Sequence, residues 1–418
     1  MLCGLLVLVS FTVLTWSAPL LSRAGHGCVE TPLRFTSDGT FQISIFEDLH
    51  FGENAWDEWG PQQDIDSVTV MNEILDAESQ QLVVLNGDLI TGENTFTSNS
   101  TLYVDQIVGP LAERGLTWAS TYGNHDSDFN LSRYDILGRE RLYRNARTSQ
   151  MVFGNDSGVS NYYLPVYPSN GGSEPSLLLW FFDSRGGFHY QQTDANGDKI
   201  GQPNWVDQTV VDWFQQTNAA LVDQYNRTIP SLAFVHIPVN ASQALQTSRG
   251  IDPNHEPGIN DDYPLAAQAQ GWCPNGTTGT GSACSYGGQD LPFTQALTST
   301  PGLIALFSGH DHGDTWCYKW NSTLPGTTVA GNGLNLCFGQ HSGYGGYGTW
   351  TRGSRQVLLT EGLLEQVETW IRLETGGVVG RVTLNETYGV DRYPATVDTR
   401  SECVGCSYDV VSDMPGTA

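Results

Sequence analysis

Basic residues are scarce in this chain. Its 418 residues include 19 Lys and Arg against 45 Asp and Glu, which gives a formal net charge of −26. Nucleic acids and anionic membranes are bound through basic surfaces, so neither is expected as the main partner. After the N-terminal segment, no apolar run reaches the roughly 18 residues that a membrane-spanning helix needs.

The signatures of two common enzyme classes are also missing. The chain has 47 glycines but no glycine-rich nucleotide-binding fingerprint. Ser308 precedes a glycine, yet it lacks the strand, Gly-X-Ser-X-Gly and helix context of a serine hydrolase nucleophile. Residues 412–418 are not hydrophobic, so no lipid-anchor signal is expected there.

The first residues form an apolar segment. Residues 1–17 are rich in Leu and Val and are followed by a small residue, Ala18. This pattern predicts a secretory signal peptide, although no Lys or Arg precedes the apolar run. Trp16 and Pro19 disturb the cleavage pattern, so the cut site stays open, and a retained anchor is the alternative. We expect a secreted, extracellular protein, with the vacuole or cell wall as other destinations.

Sequons for N-glycosylation favour the same compartment. If they carry N-linked glycans, all of them must lie at the surface. The sequons begin at Asn99, Asn130, Asn155, Asn226, Asn240, Asn275, Asn321 and Asn385.

The cysteines are consistent with an oxidising compartment. There are 8, and Cys3 falls in the presumed signal peptide, which leaves an odd number. A zinc or redox role for Cys403-X-X-Cys406 is disfavoured, because neither a second ligand pair nor a thioredoxin-like context is present. The preferred disulfides are Cys273–Cys284 and Cys317–Cys337, and because the remaining number is odd, at least one thiol is left over.

Strands and helices alternate in the first part of the chain. Residues 41–46 alternate apolar and polar, residues 81–85 form an apolar run, and Ile65 to Leu75 show helical spacing between them. A β-α-β-α-β order predicts a parallel sheet, whose ligands bind at the carboxyl ends of the strands. Further strands are predicted over 116–121, 176–182, 231–235 and 303–307, with helices over 100–114 and 206–220.

The C-terminal part indicates antiparallel strands. They are predicted over 357–359, 368–373 and 378–384. Residues 270–288 are predicted to form a loop. The expected fold class is α/β (α+β), with a central β sandwich of mixed sheets flanked by helices. We expect a single domain over 38–395 and a C-terminal tail over 396–418.

Five short blocks carry the chemistry, and four of them directly follow a predicted strand. More than half of the nine histidines lie in these blocks. Their carboxylate, amide and imidazole groups are the ligands that a two-metal hydrolytic site requires. A bridging carboxylate must hold such ions together, and Asp88 is the candidate. The blocks are Asp48-Leu-His50, Gly87-Asp88, Gly123-Asn-His-Asp126, His236 and Gly309-His-Asp-His312.

The spacing within two blocks suggests a local geometry. On an extended chain, residues i and i+2 point the same way, so Asp48 and His50 would reach one ion. The same reasoning applies to His310 and His312.

Together, the five blocks resemble the signature of calcineurin-like metallophosphoesterases. Residues 86–92, 234–238 and 308–314 are similar to the secreted fungal branch related to Dcr2-type phosphatases and to small plant purple-acid-phosphatase-like proteins. The resemblance implies a four-layer metallophosphoesterase fold. It also implies two metal ions per chain, drawn from Fe, Zn or Mn, and attack on phosphorus by a metal-bridging hydroxide.

The resemblance also assigns roles to residues. His125 would be the general acid or a transition-state stabiliser, with Asp126 orienting its ring, and Asn124 and His125 would contact the substrate. His341, in a glycine-rich loop, is a weaker candidate for substrate contact. One metal would be bound by Asp48, His50, Asp88 and His312, and the other by Asp88, Asn124, His236 and His310.

The chain departs from purple acid phosphatases at one position. Those enzymes have a tyrosine three residues after the bridging aspartate, where this chain has Thr91, and His50 takes the place of that ligand. Because no phenolate is available there, we expect a colourless protein without a tyrosinate-to-iron absorption band.

The leading hypothesis is a secreted phosphatase that hydrolyses phosphate monoesters of small molecules or phosphoproteins. A phosphodiesterase acting on nucleotides or lipid head groups is the first alternative, because the same metal centre serves both reactions. A non-catalytic, metal-stabilised binding protein is the second. The two enzymes differ in the ester they cleave, and only the third protein would bind metal without turnover.

Overall fold

The computed structural model describes residues 31–154, 156–265, 269–271, 286–325 and 327–406. The strands are β1 Leu33–Arg34, β2 Thr40–Phe46, β3 Leu82–Asn86, β4 Trp118–Thr121, β5 Tyr162–Tyr167, β6 Leu177–Phe182, β7 Phe188–Thr193, β8 Lys199–Gly201, β9 Ser231–Val235, β10 Leu303–Ser308, β11 Cys317–Trp320, β12 Leu334–Phe338, β13 Gly353–Thr360, β14 Val367–Leu373 and β15 Val378–Leu384. The α-helices are α1 Trp59–Ala77, α2 Tyr103–Glu113, α3 Arg133–Glu140, α4 Gln208–Tyr225, α5 Asn240–Arg249 and α6 Leu291–Ser299.

Some expectations lie outside the described residues. They are the signal peptide over 1–17, the pair Cys273–Cys284 and most of the loop over 270–288. Within the described ranges, no helix is both long enough and apolar enough to cross a membrane.

Two mixed sheets form the centre of the fold. One has seven strands in the order β1-β5-β6-β9-β10-β12-β11, and the other has six in the order β15-β14-β13-β2-β3-β4. Strands β2, β3 and β4 run parallel, and so do β6, β9 and β10. The predicted C-terminal strands pair antiparallel, and β13 joins them to β2.

The inner faces of the two sheets share one apolar core. Ile43 and Ile45 of β2 pack in the same cluster as Phe181 of β6, Phe234 of β9 and Phe307 of β10, and all five are fully buried. Burying a side chain of this size contributes about 1.5–3 kcal/mol. The alternation of apolar residues in β2 therefore selects the face that meets the opposite sheet.

Helices cover the outer faces of both sheets. Residues of α1, α2 and α3 share a core with β2, β3 and β4, while α4, α5 and α6 pack with β6, β9 and β10. The predicted fold class, a mixed β sandwich flanked by helices, is confirmed. The predicted inner face of α1 is partly wrong, because Ile65 is 58% exposed while Met71 and Leu75 are buried.

Residues beyond the predicted domain boundary still contact the fold. Trp350 forms a β-bridge with Arg400, and Cys403 is buried among side chains of the first helical layer. The expected disulfide Cys317–Cys337 is present and joins β11 to β12. Cys403 and Cys406 are also paired as a disulfide, which had not been anticipated.

Predicted metal-binding residues follow the carboxyl ends of five strands. The residues that follow them are Asp48 after β2, Asp88 after β3, Asn124 after β4, His236 after β9 and His310 after β10. The sheets thus deliver all five predicted blocks to strand ends, where open α/β sheets place their ligands.

Candidate metal centre

The backbone turns sharply at the predicted ligands. Asp48, His50, Asp88 and His310 have φ angles of 53°, 50°, 47° and 75°, in the left-handed region that residues other than glycine seldom adopt. The expected extended i, i+2 geometry is therefore wrong for both pairs. Four such residues in one place indicate a constrained functional site, since each costs roughly 1–3 kcal/mol.

Glycines allow the loops to approach each other. A Cβ atom on Gly87 would lie 2.5 Å from the ring of His236, and one on Gly123 would lie 2.2 Å from Asp88 Oδ1. Any side chain at either position would push a predicted ligand aside.

Among the described residues, two groups of potential ligands consist of predicted metal ligands, and a third, Asp66 with Cys403 and Cys406, contains the two cysteines paired as a disulfide. The first contains Asp48, His50 and His312, all buried, with ligand atoms within 4.8 Å of one another. His312 Nε2 lies 3.6 Å from Asp48 Oδ1 and 3.3 Å from His50 Nε2. We call this group the first cluster.

The second cluster contains Asp88, His236 and His310, with the same mutual limit of 4.8 Å. His236 Nε2 lies 2.9 Å from Asp88 Oδ2 and 3.8 Å from Asp48 Oδ1. His310 and His312 therefore belong to different clusters, because the left-handed backbone at His310 turns its side chain away.

Asp88 lies between the two clusters. Its Oδ2 atom is 2.9 Å from His236 Nε2 in the second cluster and 3.9 Å from His50 Nε2 in the first. Its Oδ1 atom accepts the backbone N–H of His125 at 2.8 Å, which fixes the carboxylate plane. A carboxylate in this position faces histidines of both clusters, as a carboxylate that bridges two cations would.

Metal ions fit these side chains. Asn124 is 5% exposed and His310 is 7% exposed. Asn124 Oδ1 and His310 Nε2 have no hydrogen-bond partner among the described atoms. An unpaired buried polar atom is costly, and coordination to a cation would satisfy both of these atoms.

Hydrogen bonds to the far ring nitrogens orient the imidazoles. His236 Nδ1 donates to the carbonyl oxygen of Asn86 at 2.9 Å, and His312 Nδ1 donates to the carbonyl oxygen of Tyr347 at 2.8 Å. His50 Nδ1 lies 3.2 Å from the hydroxyl of Thr91, which directs the ring rather than supplying a ligand. Each Nε2 atom is thereby turned toward the clusters, as in metal-binding histidines.

Burial sets the protonation of most of these rings. It lowers the pKa of His50 to about 4 and that of His310 to about 3, and it holds the pKa of His312 well below its usual range. These rings are thus in the neutral form that binds metals.

The second cluster also contains a strongly coupled pair. Burial opposes charge on His236, but Asp88 outweighs it and raises the pKa of His236 to about 10. Burial likewise raises the pKa of Asp88, yet His236 and His125 hold it well below its usual range. A cation bound here would take the place of the proton on His236.

Comparison with known proteins decides the family. The sequence pattern of the calcineurin-like phosphoesterases matches residues 45–314, which is more than half of the chain. The chain belongs to the calcineurin-like phosphoesterase family. Proteins of this family bind a dinuclear metal centre, and the two clusters described above lie within the matched residues and could bind such ions.

Several phosphatases are similar to this chain. Probable inactive purple acid phosphatase 28 of Arabidopsis thaliana is 26% identical over 82% of this chain and 83% of its own length. Phosphatase DCR2 of Saccharomyces cerevisiae is 27% identical over 73% of this chain and 49% of its own length. A dimetal phosphatase from Danio rerio has a solved structure with a TM-score of 0.49 and 15% identity, covering 82% of this chain and 98% of that chain.

His125 is the most exposed of the predicted site residues. Its side chain is 35% exposed, whereas those of His50, Asp88 and His236 are at most 5% exposed. The ring of His125 lies 5.0 Å from that of His50, measured between centroids. It therefore borders the first cluster and can also reach a bound ester.

The residue that orients the ring of His125 differs from the prediction. Asp126 was expected to orient this ring, but its carboxylate accepts the backbone N–H groups of Leu89, Ile90 and Gly123 at 2.8–3.0 Å. His125 Nδ1 bonds instead to the carboxylate of Glu93, at 2.7–2.8 Å. Asp126 thus holds the Asp88 and Asn124 loops together, and Glu93 orients the ring.

His341 is also placed differently from the expectation. It is 1% exposed, its ring centroid lies 4.0 Å from that of His312 with the ring planes tilted by 39°, and its Nε2 bonds to the carbonyl oxygen of Gly345 at 3.0 Å. Its burial leaves almost no surface for a substrate to contact. Direct substrate contact by His341 is therefore excluded in this conformation.

Sequence reasoning missed two polar residues beside the clusters. Glu93 lies five positions after Asp88, but a single acid in a predicted loop gave no signal. Tyr347 lies in the glycine-rich loop that had drawn attention to His341, and its ring stacks on His312 at 4.0 Å. That loop was the available signal, although it pointed to the wrong residue.

Proposed function

We propose that this chain is a secreted two-metal phosphatase that hydrolyses phosphate monoesters. The single observation that supports it best is the position of Asp88 between the two clusters, 2.9 Å from His236 Nε2 and 3.9 Å from His50 Nε2. The name of the relative phosphatase DCR2 favours the monoester as substrate, whereas the Arabidopsis thaliana relative is named probable inactive. Phosphorylated small molecules and phosphoproteins are the proposed substrates.

The proposal assigns the metal ligands as follows. When bound, two ions drawn from Fe, Zn or Mn would supply the positive charge that activates water and stabilises the phosphoryl group. One ion would be held by Asp48, His50, Asp88 and His312, and the other by Asp88, Asn124, His236 and His310.

His125 supplies a proton in this proposal. Burial opposes charge on its ring, but Glu93 and Asp88 raise the pKa of His125 to about 10, so the ring is protonated near neutral pH. With Nδ1 engaged by Glu93, Nε2 is free to donate to the departing alkoxide of a bound ester. Asn124 and His125 are thus the proposed substrate contacts.

One assay tests the proposed activity. We expect p-nitrophenyl phosphate to be hydrolysed faster than bis-p-nitrophenyl phosphate, with loss of activity in EDTA and recovery when metal is restored. Faster hydrolysis of the diester would show that the protein is a phosphodiesterase and would contradict the proposal. Absence of turnover on both esters by protein that holds both ions would indicate a binding protein.

Secretion is part of the same proposal. The disulfide Cys317–Cys337 and the exposed sequons at Asn226 and Asn321 support it. We expect protein from the culture medium of its host to begin after residue 17 and to lose mass on treatment with an N-glycosidase. An intact N-terminus on cell-associated protein would contradict secretion and favour the retained anchor.

A further inference from the structure

Tyr347 makes three contacts with His312. The two rings stack with centroids 4.0 Å apart and planes 10° apart. The Tyr347 carbonyl oxygen accepts Nδ1–H of His312 at 2.8 Å, and the Tyr347 hydroxyl accepts the backbone N–H of His312 at 3.0 Å. One residue thus fixes the ring plane, the tautomer and the backbone of a single histidine.

The hydroxyl of Tyr347 is itself held in place. It donates to Asp262 Oδ2 at 2.6 Å, and the same carboxylate oxygen accepts the backbone N–H of Gly313 at 2.7 Å. Because the hydroxyl proton is committed to Asp262, its lone pairs face the N–H of His312. Tyr347 and Asp262 therefore accept the backbone N–H groups of His312 and Gly313, respectively, and hold this segment in place.

The loop around Tyr347 is built to lie on the first cluster. Gly346 has φ 74°, and a Cβ atom there would lie 2.5 Å from Cε1 of His312 and 2.8 Å from Cδ2 of His50. The Gly346 N–H donates to Glu53 Oε2 at 2.5 Å, which ties the loop to the segment that follows His50. This close approach requires glycine, and it places the tyrosine ring beside the clusters.

We propose that Tyr347 is a positioning residue that sets the affinity of the first cluster for its metal ion. It acts through His312 and does not bind the ion itself. This inference rests on the proposed function, in which His312 is a ligand. Groups that orient metal-binding histidines typically contribute 10- to 100-fold to metal affinity, and Tyr347 holds its histidine by two hydrogen bonds and a stacked ring.

A pair of matched variants tests the proposal. Tyr347→Phe removes the hydroxyl but keeps the stacked ring, and Tyr344→Phe makes the same change in the same loop. The Tyr344 hydroxyl donates to Glu374 at 2.8 Å, whereas the Tyr347 hydroxyl accepts the backbone N–H of His312. The readout is the number of ions retained by the purified holoprotein, measured by elemental analysis after equilibration with graded concentrations of chelator.

We expect wild type and Tyr344→Phe to release both ions over the same range of chelator concentration. Tyr347→Phe should release one ion at a chelator concentration roughly 2- to 10-fold lower, because it loses only the hydroxyl hydrogen bond to His312, with release of the second ion unchanged. Coincident release curves for all three proteins would overturn the role of Tyr347. Equal weakening in Tyr344→Phe would also overturn it, because the effect would then belong to the loop as a whole.

The ion content of the wild-type protein distinguishes a failure of this inference from a failure of the proposed function. Fewer than two ions in wild-type holoprotein would defeat the proposed function, whereas two ions and an unaffected Tyr347→Phe variant would defeat only the positioning role. If Tyr347→Phe does not fold, Asp262→Ala removes the acceptor of the same hydroxyl and should weaken the same single ion. Asp262→Asn keeps an acceptor oxygen and should restore its retention.

Discussion

Asp88→Asn is expected to lose hydrolytic activity and at least one metal ion together. Asparagine keeps the size of the side chain but removes the negative charge that faces both clusters, 2.9 Å from His236 and 3.9 Å from His50. Metal ions contribute several kcal/mol to such reactions, which corresponds to a loss of about 10³-fold in kcat/KM. Elemental analysis and steady-state kinetics on the same preparation would measure both effects.

A buried carboxylate outside the clusters provides the control. Asp183 is fully buried and accepts backbone N–H groups of Val159 and Arg185 at 2.7 Å, so Asp183→Asn removes a comparable charge. It should lower the melting temperature while retaining both ions. If Asp88→Asn kept its full metal content and its turnover, the bridging assignment would have to be abandoned.

The fold could be predicted because its signals are local. The alternation in β2 and the apolar run of β3 lie within single strands, and the polar residues that end them follow directly in the sequence. The order of strands and helices then implies parallel pairing and a shared edge. The grouping of Asp48, His50 and His312 came from the family resemblance, and their ligand atoms lie within 4.8 Å of one another.

The details that sequence reasoning got wrong depend on backbone conformation and on contacts between distant loops. The left-handed turn at His310 separates it from His312, and no periodicity encodes such a turn. Asp126 does not orient the ring of His125, because its carboxylate is buried and accepts three backbone N–H groups. Glu93 orients the ring instead. Neither loop alone contains the information, because each conformation is fixed by the other.

His125→Ala should slow the hydrolysis of alkyl phosphates by about 10²–10⁴-fold while leaving the metal content intact. An alkoxide is a poor leaving group and needs the proton that His125 carries. An aryl oxide leaves as a stable anion, so p-nitrophenyl phosphate should be affected much less. Equal losses on both substrates, or loss of an ion, would remove His125 from the acid role.

The charge of Glu93 gives the same assignment a second, independent readout. A general acid works only while protonated, so alkyl phosphate hydrolysis falls as pH rises through the pKa of His125, which Glu93 helps to raise to about 10. Glu93→Gln removes that negative charge and lowers the pKa of His125, so the decline should begin at lower pH than in wild type. The pH profile for p-nitrophenyl phosphate serves as the internal control and should not shift with it. A parallel shift for both esters would assign the titration to the metal centre, and an unchanged alkyl profile would show that Glu93 does not govern the proton on His125.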